Sequence, residues 1–352
     1  MIIYIKKIPQ HAGRPIYEGF AAAWEHIGYE VRYYQDLHTI ENLPIEYEIM
    51  TTDTDLGLLA CGMSGPRDGA RVKVEPWTII SGGQRMQVNP AAQRAAYQRH
   101  FDKVRKIIAN SSQTYCFSQP TTFPLPWGSH NNFVSFLSEY DEVRNILNNS
   151  DQVKTWTWVD QTEVSRHEYY KGWKDIHTIP LAFDHLSYNK ALARAATSPA
   201  FDLCYVGGWA NNGFDEKRRI MVEHFRALSK TNLKCGIFIN KNISVEKEAA
   251  VLYNSKVAIN IHDEYQRVLG LDSNERTFKS LGLTGALVCD NIGQVNRLFP
   301  DLLLYDSPEQ MVEQIMNLID DTKKLTEQKE YYRNLLLKEH TYVHRVEQMR
   351  AL

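Results

Sequence analysis

No apolar run in this 352-residue chain approaches the about 20 residues needed to span a bilayer, so a membrane-spanning helix is not expected. Cysteine is scarce. Cys61, Cys116, Cys204, Cys235 and Cys289 show no metal-type spacing, and their odd number argues against a closed disulfide framework. Three of them sit in apolar strand-like runs, where a thiol packs as a small hydrophobe, so a reducing cytoplasm is the expected location. Charge of one sign is also lacking: 40 Lys and Arg face 42 Asp and Glu, a formal net charge of −2. A protein that lives on phosphate backbones carries a basic excess, so nucleic acid is not expected as the main partner. The chain has no dinucleotide G-x-G-x-x-G fingerprint, no G-x-S-x-G elbow, no Cys–His catalytic signature and no internal repeat.

What is present is an ordinary globular composition, 43% hydrophobic and 23% charged, long enough for two domains. Met1-Ile-Ile-Tyr-Ile-Lys-Lys is too short for a signal peptide and places its charge after the apolar run, so it reads as a first β-strand. Pro9 to Pro15 form a loop. Ile16, Phe20, Trp24 and Ile27 then recur at helical spacing, Gly28 stops the helix, and Glu30 to Tyr34 are β-rich. Strand, loop, helix, strand opens a parallel α/β domain, whose ligands bind at the carboxyl ends of the strands. The loop carrying His11 and Arg14 is therefore expected to face a cleft. Residues 40 to 150 are harder to parse. Thr122 to His130 are too punctuated by Pro and Gly for regular structure, and Trp127, tied by two prolines, reads as an ordered substrate-binding loop. Arg94 to Lys106 make a basic helical stretch: a solvated face, or a peripheral contact with an anionic membrane or acceptor.

The second half is clearer. Strands are expected at Asp202–Val206, Cys235–Ile239, Val257–Ile261, Ala286–Cys289 and Leu302–Tyr305, with helices over about 215–229, 244–254, 274–282 and 309–320 between and after them. Ser307-Pro308-Glu309-Gln310 reads as a capping box with Pro at the first helical position. Alternating strands and helices predict a second doubly wound domain, with the boundary near Pro180 to Pro199. The expected division is 1–185, 186–325 and a C-terminal helix over 326–352 that packs back on the first domain. A cleft between two such domains is a favoured ligand site.

Three segments of the second domain carry candidate chemistry. Tyr205 to Gly213 follow a strand and precede a helix. Gly207 and Gly208 let the backbone approach a ligand, Trp209 lies on the same loop, and the helix start with Lys217 and Arg218 suits a phosphate. Gly270 to Gly282 feed a polar loop into another helix, with Ser273 or Asn274 as N-cap. Arg276 close to the first turn offers bidentate geometry to a diphosphate. His262-Asp263-Glu264 stand at the carboxyl end of a strand. A tight turn, a surface salt bridge and a strand-ending turn are the structural competitors. Asp53-Thr-Asp55 matches a short metal-binding pattern that nothing else in the chain supports. His340 and His344 are four apart without a third ligand, so they read as surface or packing histidines.

These residues resemble the spore-maturation-protein-like (CgeB-like) glycosyltransferases, a branch of the GT-B group. The matching segments, in order, are Ile179 to Asp184, Tyr205 to Gly208, Ser273 to Phe278, Gly285 to Asp290, Asp306 to Met311 and His340 to Arg345, spread over about 170 residues. The first half matches only in its opening. The resemblance implies two Rossmann-like domains facing each other across a cleft, with the acceptor on the first and a nucleotide-sugar on the second. It implies sugar transfer to a glycan, lipid-linked or other hydroxyl acceptor, with no cofactor and no metal. Asn274, Glu275, Arg276 and Thr277 would then lie at the donor with Gly207, Gly208, Trp209, Arg218 and His262, and Arg14 and Trp127 on the acceptor side. Many relatives carry Glu where Lys279 stands, which leaves ribose recognition open. An inverting reaction needs a base, for which His11, Asp53 and His130 are the candidates; a retaining one dispenses with it. A phage-type DNA glucosyltransferase, a non-transferring nucleotide-sugar enzyme and a binding protein of the same fold are the alternatives.

Overall fold

The computed structural model describes residues 1–7, 14–35, 39–40, 43, 46–52, 56, 73–75, 78–81, 84–87, 90–118, 138–166, 170–196, 200–208, 215–239 and 243–352. These form two compact units. One comprises Met1–Tyr17, Trp24–Ile179 and Ala351–Leu352, the other Glu18–Ala23 and Pro180–Arg350.

The chain opens with β1 (Ile2–Lys6), α1 (Arg14–His26), whose middle, Glu18–Ala23, is counted with the second unit, β2 (Glu30–Tyr34) and β3 (Tyr47–Thr52). Phe20 and Trp24, one helical turn apart on α1, are wholly buried, and Gly28 leaves the helix at φ +94°, a conformation open to glycine. An antiparallel trio follows, β4 (Lys73–Glu75), β5 (Thr78–Ser81) and β6 (Gln84–Gln87). Then come α2 (Pro90–Asn110), β7 (Ser111–Phe117), α3 (Ser138–Asn148), β8 (Val153–Thr157), the one-turn α4 (Gln161–Val164) and β9 (His177–Thr178). The six longer-range strands make one parallel sheet in the order β2-β1-β3-β7-β8-β9. The basic stretch lies on α2, whose Phe101, Val104, Ile107 and Ile108 are buried in the core with Ile49 and Cys116. Arg99, Arg105 and Lys106 occupy its exposed side. Arg105 there pairs with Asp102 and Glu142 at 3.2 and 3.1 Å. The described basic residues of this stretch thus lie on the exposed side of a core helix.

The second unit runs α5 (His185–Arg194), β10 (Leu203–Gly207), α6 (Asp215–Leu228), β11 (Cys235–Ile239), α7 (Val245–Asn254), β12 (Val257–Asn260), α8 (Glu264–Leu269), α9 (Glu275–Leu283), β13 (Leu287–Asp290), α10 (Gly293–Leu298), β14 (Leu303–Tyr305), α11 (Pro308–Asp320), α12 (Thr322–Glu339) and α13 (Tyr342–Arg350). The expected strands and helices all form, with ends shifted by a residue or so. All five strands are parallel, in the order β11-β10-β12-β13-β14. Met221 and Leu228 of α6 and Met311, Ile315 and Leu318 of α11 share one core with Tyr205, Ile259 and Val288 of the sheet. The helices α7 and α9 pack against β10, β12 and β13. Each such buried apolar side chain contributes about 1.5–3 kcal/mol.

At the start of α11, Ser307 Oγ accepts from the Gln310 amide at 3.2 Å. Gln310 Oε1 reaches past the cap and accepts from the amide of Asp306 at 2.8 Å. The capping box is therefore displaced by one residue on its return arm. No helix among the described residues is long and apolar enough to cross a membrane.

Candidate functional site

Strand order decides where the site lies. The chain leaves β10 for β11 on one side, while β12 pairs on the other side, so the carboxyl ends of β10 and β12 splay apart at a topological switch point. Arg276, in the first turn of α9, spans that gap. Its Nε donates to the Val206 carbonyl at 3.1 Å, and its Nη1 donates to Asn260 Oδ1 at 2.9 Å and the Ile261 carbonyl at 3.3 Å. The guanidinium also sits over the Tyr205 ring, 5.1 Å from its centroid. Burial works against the cation, but Tyr205 and the carboxylates of Asp263, Glu275 and Glu248 outweigh it and hold Arg276 above its ordinary value. The charge is permanent.

Gly207 makes this possible. A Cβ there would stand 2.6 Å from Nε and Nη2 of Arg276. The glycine is required for room, since its φ lies outside the left-handed range. Gly208 lends its carbonyl to the Tyr205 hydroxyl at 3.3 Å.

The start of α9 is braced from β12. Asn274 is the N-cap, its side chain accepting from the Thr277 amide at 3.3 Å. Asn260, wholly buried, donates to Asn274 Oδ1 at 2.9 Å and to Thr277 Oγ1 at 2.8 Å. Ser273 Oγ donates to Thr277 Oγ1 at 2.7 Å, and the Ser273 amide donates to Gln294 Oε1 at 2.7 Å. Beneath lies His262, also wholly buried. Its Nδ1 and its amide bind the two oxygens of Asp290 at 2.6 and 2.8 Å. Burial pushes the Asp290 carboxyl up, but His262 and its hydrogen bonds prevail, and the group sits below the usual carboxylate range. Burial, then Asp290, push the Cys289 thiol well up. Among the described residues, His262, Cys289 and Asp290 are the one group of three metal-ligating side chains. With Asp290 already accepting from His262 at both oxygens, the group is a polar brace under α9.

A second cation enters from α6. Lys217 is 4% exposed, and its Nζ lies 2.6 Å from Asp263 Oδ1. Asp263 follows β12 as the N-cap of α8 in a capping box with Gln266. Burial first, then Arg276, lower Lys217, with Asp263 opposing both.

The candidates from sequence therefore fall as follows. Gly207, Gly208, His262, Asn274, Arg276 and Thr277 come together. Glu275 is in the same first turn of α9, but its carboxylate faces Lys279 at 3.4 Å, and Lys279 also pairs with Glu248 at 2.7 Å. Arg218 is exposed, and its neighbour Lys217 turns inward instead. Arg14 begins α1. His11, Asp53, Asp55, Trp127, His130 and Trp209 lie outside the described residues. His344 Nδ1 lies 2.7 Å from Thr341 Oγ1, and His340 Nδ1 accepts from Arg345 at 2.9 Å, so both histidines serve local hydrogen bonds. Lys217 and Asp263, read from sequence at a helix start and a strand end, join the site, while Asn260 and Asp290 are additions to the sequence reading. The signal for the additions was a polar residue ending an apolar strand, and that for the inward turn of Lys217 was its line with Met221, His224 and Leu228 on the buried side of α6.

Residues 190–351 match the family model described as "Glycosyl transferase-like". No curated protein matches the chain in sequence. Among solved structures, an alpha-glucosyltransferase in complex with UDP-glucose and DNA containing an abasic site is similar. Its TM-score is 0.56 at 11% identity, over 99% of this chain and 98% of that one. An alpha,alpha-trehalose-phosphate synthase (UDP-forming) from Burkholderia vietnamiensis is similar too, with TM-score 0.51 at 10% identity over 100% and 98% of the two chains. At such identities the likeness is one of fold, that of the GT-B group. Residues 190–351 are thus glycosyl transferase-like, and the chain has the GT-B fold.

Proposed function

We propose that the chain transfers a sugar from a nucleotide-sugar to a hydroxyl acceptor, holding the donor diphosphate at the switch point of the second sheet. The observation that carries this is Arg276 bridging Val206 and Asn260 at the carboxyl ends of β10 and β12. A leaving nucleoside diphosphate gathers negative charge, which a fixed guanidinium and the first amides of α9 stabilise. Lys217 adds a second positive charge nearby. With these groups the diphosphate needs no metal ion, so the reaction is proposed to be metal-independent. UDP-glucose, present with one structural neighbour, supports a UDP-sugar as the first donor to try.

The acceptor proposed is a glycan, a lipid-linked glycan or a similar hydroxyl compound. In an inverting reaction His11, Asp53 or His130 supplies the base. DNA, bound by the same neighbour, is the second reading for the acceptor. The net charge of −2 speaks against it. We further propose a cytoplasmic protein, with the exposed side of α2 as a contact for an anionic membrane surface.

The test is thermal stabilisation by UDP, GDP, CDP, ADP, TDP and CMP. Selective stabilisation by one nucleoside diphosphate is expected. A flat response across the panel would remove the donor site from the second unit.

A further inference from the structure

Lys217 and Asp263 have no place in the fold's hydrophobic logic. Lys217 occupies a position on the buried stripe of α6 that Met221 and Leu228 continue with apolar side chains. A buried ammonium is costly unless paired, and its counter-ion is Asp263 at 2.6 Å. Asp263 is itself a quarter exposed, and its charge also favours the Arg276 guanidinium. One carboxylate thus pairs with Lys217 and bears electrostatically on Arg276, the two cations of the proposed diphosphate site.

We propose that Asp263 is a competing internal anion that sets the affinity of this site: a nucleoside diphosphate binds by taking over Lys217 from it. This deepens the donor-site reading above and rests on it. A ligand with one negative charge gains nothing over the carboxylate already in place. A diphosphate brings more charge and enough oxygens to meet Lys217 and Arg276 together, so it wins the exchange. Asp263 then acts as a filter for highly charged ligands and as a limit on how tightly the product diphosphate is held.

The two roles open to Asp263 predict opposite signs. A residue that merely braces the site weakens binding when replaced, whereas a competitor strengthens it. Asparagine and serine both make good N-caps, so Asp263→Asn and Asp263→Ser preserve the start of α8 while removing the charge. In calorimetric titration with UDP at low salt, both variants are expected to bind about 3- to 10-fold more tightly than the wild type. That gain should shrink as NaCl is raised. Lys217→Met, which keeps the apolar stem, is expected to bind at least about 10-fold more weakly. Tighter binding by either Asp263 variant supports the proposal. Equal or weaker UDP binding by both folded variants, with the wild type binding UDP, overturns it and leaves the donor site standing. Failure of the wild type to bind any of the six nucleotides removes the donor site and this proposal together.

Discussion

The Arg276 guanidinium fills the space that a side chain at Gly207 would take, 2.6 Å from where its first carbon would stand. The two residues belong to different elements, β10 and α9, yet each fixes what the other is allowed to be. Gly207→Ala is expected to fold, because the atoms it meets are the free end of a long side chain, and to drive Arg276 off the strand ends. Nucleoside-diphosphate binding should weaken by roughly 1.5–3 kcal/mol, the worth of a charge-assisted contact, as it should for Arg276→Ala. Titration of the double variant is the decisive measurement. It should bind no more weakly than Arg276→Ala alone, since both changes remove one interaction.

Asp290 governs acid stability. Its folded carboxyl lies below the usual carboxylate range, so its contribution is fully present above about pH 3.9 and is lost as pH falls through the folded value. Asp290→Ala leaves the His262 ring and amide without acceptors and should cost about 3–5 kcal/mol at neutral pH. Denaturant unfolding of the wild type and Asp290→Asn at pH 7, 4 and 3 would show the gap closing at the acid end.

His340 acts in a milder range. Burial, then Arg345, bring it down to about 4, so folding keeps the ring neutral. Its contribution is intact above the ordinary histidine value of about 6.5 and declines as pH falls from there towards 4. Melting temperature should fall over that interval, and His340→Gln should flatten the decline. Arg345, Glu339 and His344 face the ring and must be retained in the comparison.

Chelation tests the absence of a metal step. With a chelator added, neither sugar transfer nor thermal stability is expected to change. A drop in transfer alone would point to a metal in catalysis, and a drop in stability to a structural one.

The second sheet was legible because each of its strands is a short, mostly apolar run, two of them closed by a polar residue, Val257-Ala-Ile-Asn260 and Leu287-Val-Cys-Asp290. The first sheet was less so. Its central β7, Ser-Ser-Gln-Thr-Tyr-Cys-Phe, buries Ser111 and Thr114, whose hydroxyls satisfy each other at 2.7 Å. No hydrophobic pattern announces a strand that buries hydroxyls. Arg276 was found from sequence because a helix start with an arginine is a local feature. Asn260 and the inward turn of Lys217 depend on which strand lies beside which, and strand order is not written in any single segment.

That order has a kinetic consequence. The bond from Arg276 to the Val206 carbonyl closes a loop of 70 residues, and every strand pair in this sheet is joined by a crossover with no hairpin to hasten it. Contacts so distant along the chain pay their closure entropy before they return any stabilisation. During refolding, helix content should therefore recover ahead of nucleotide binding, so the capacity to hold an anion matures only when the middle of the sheet has been zipped.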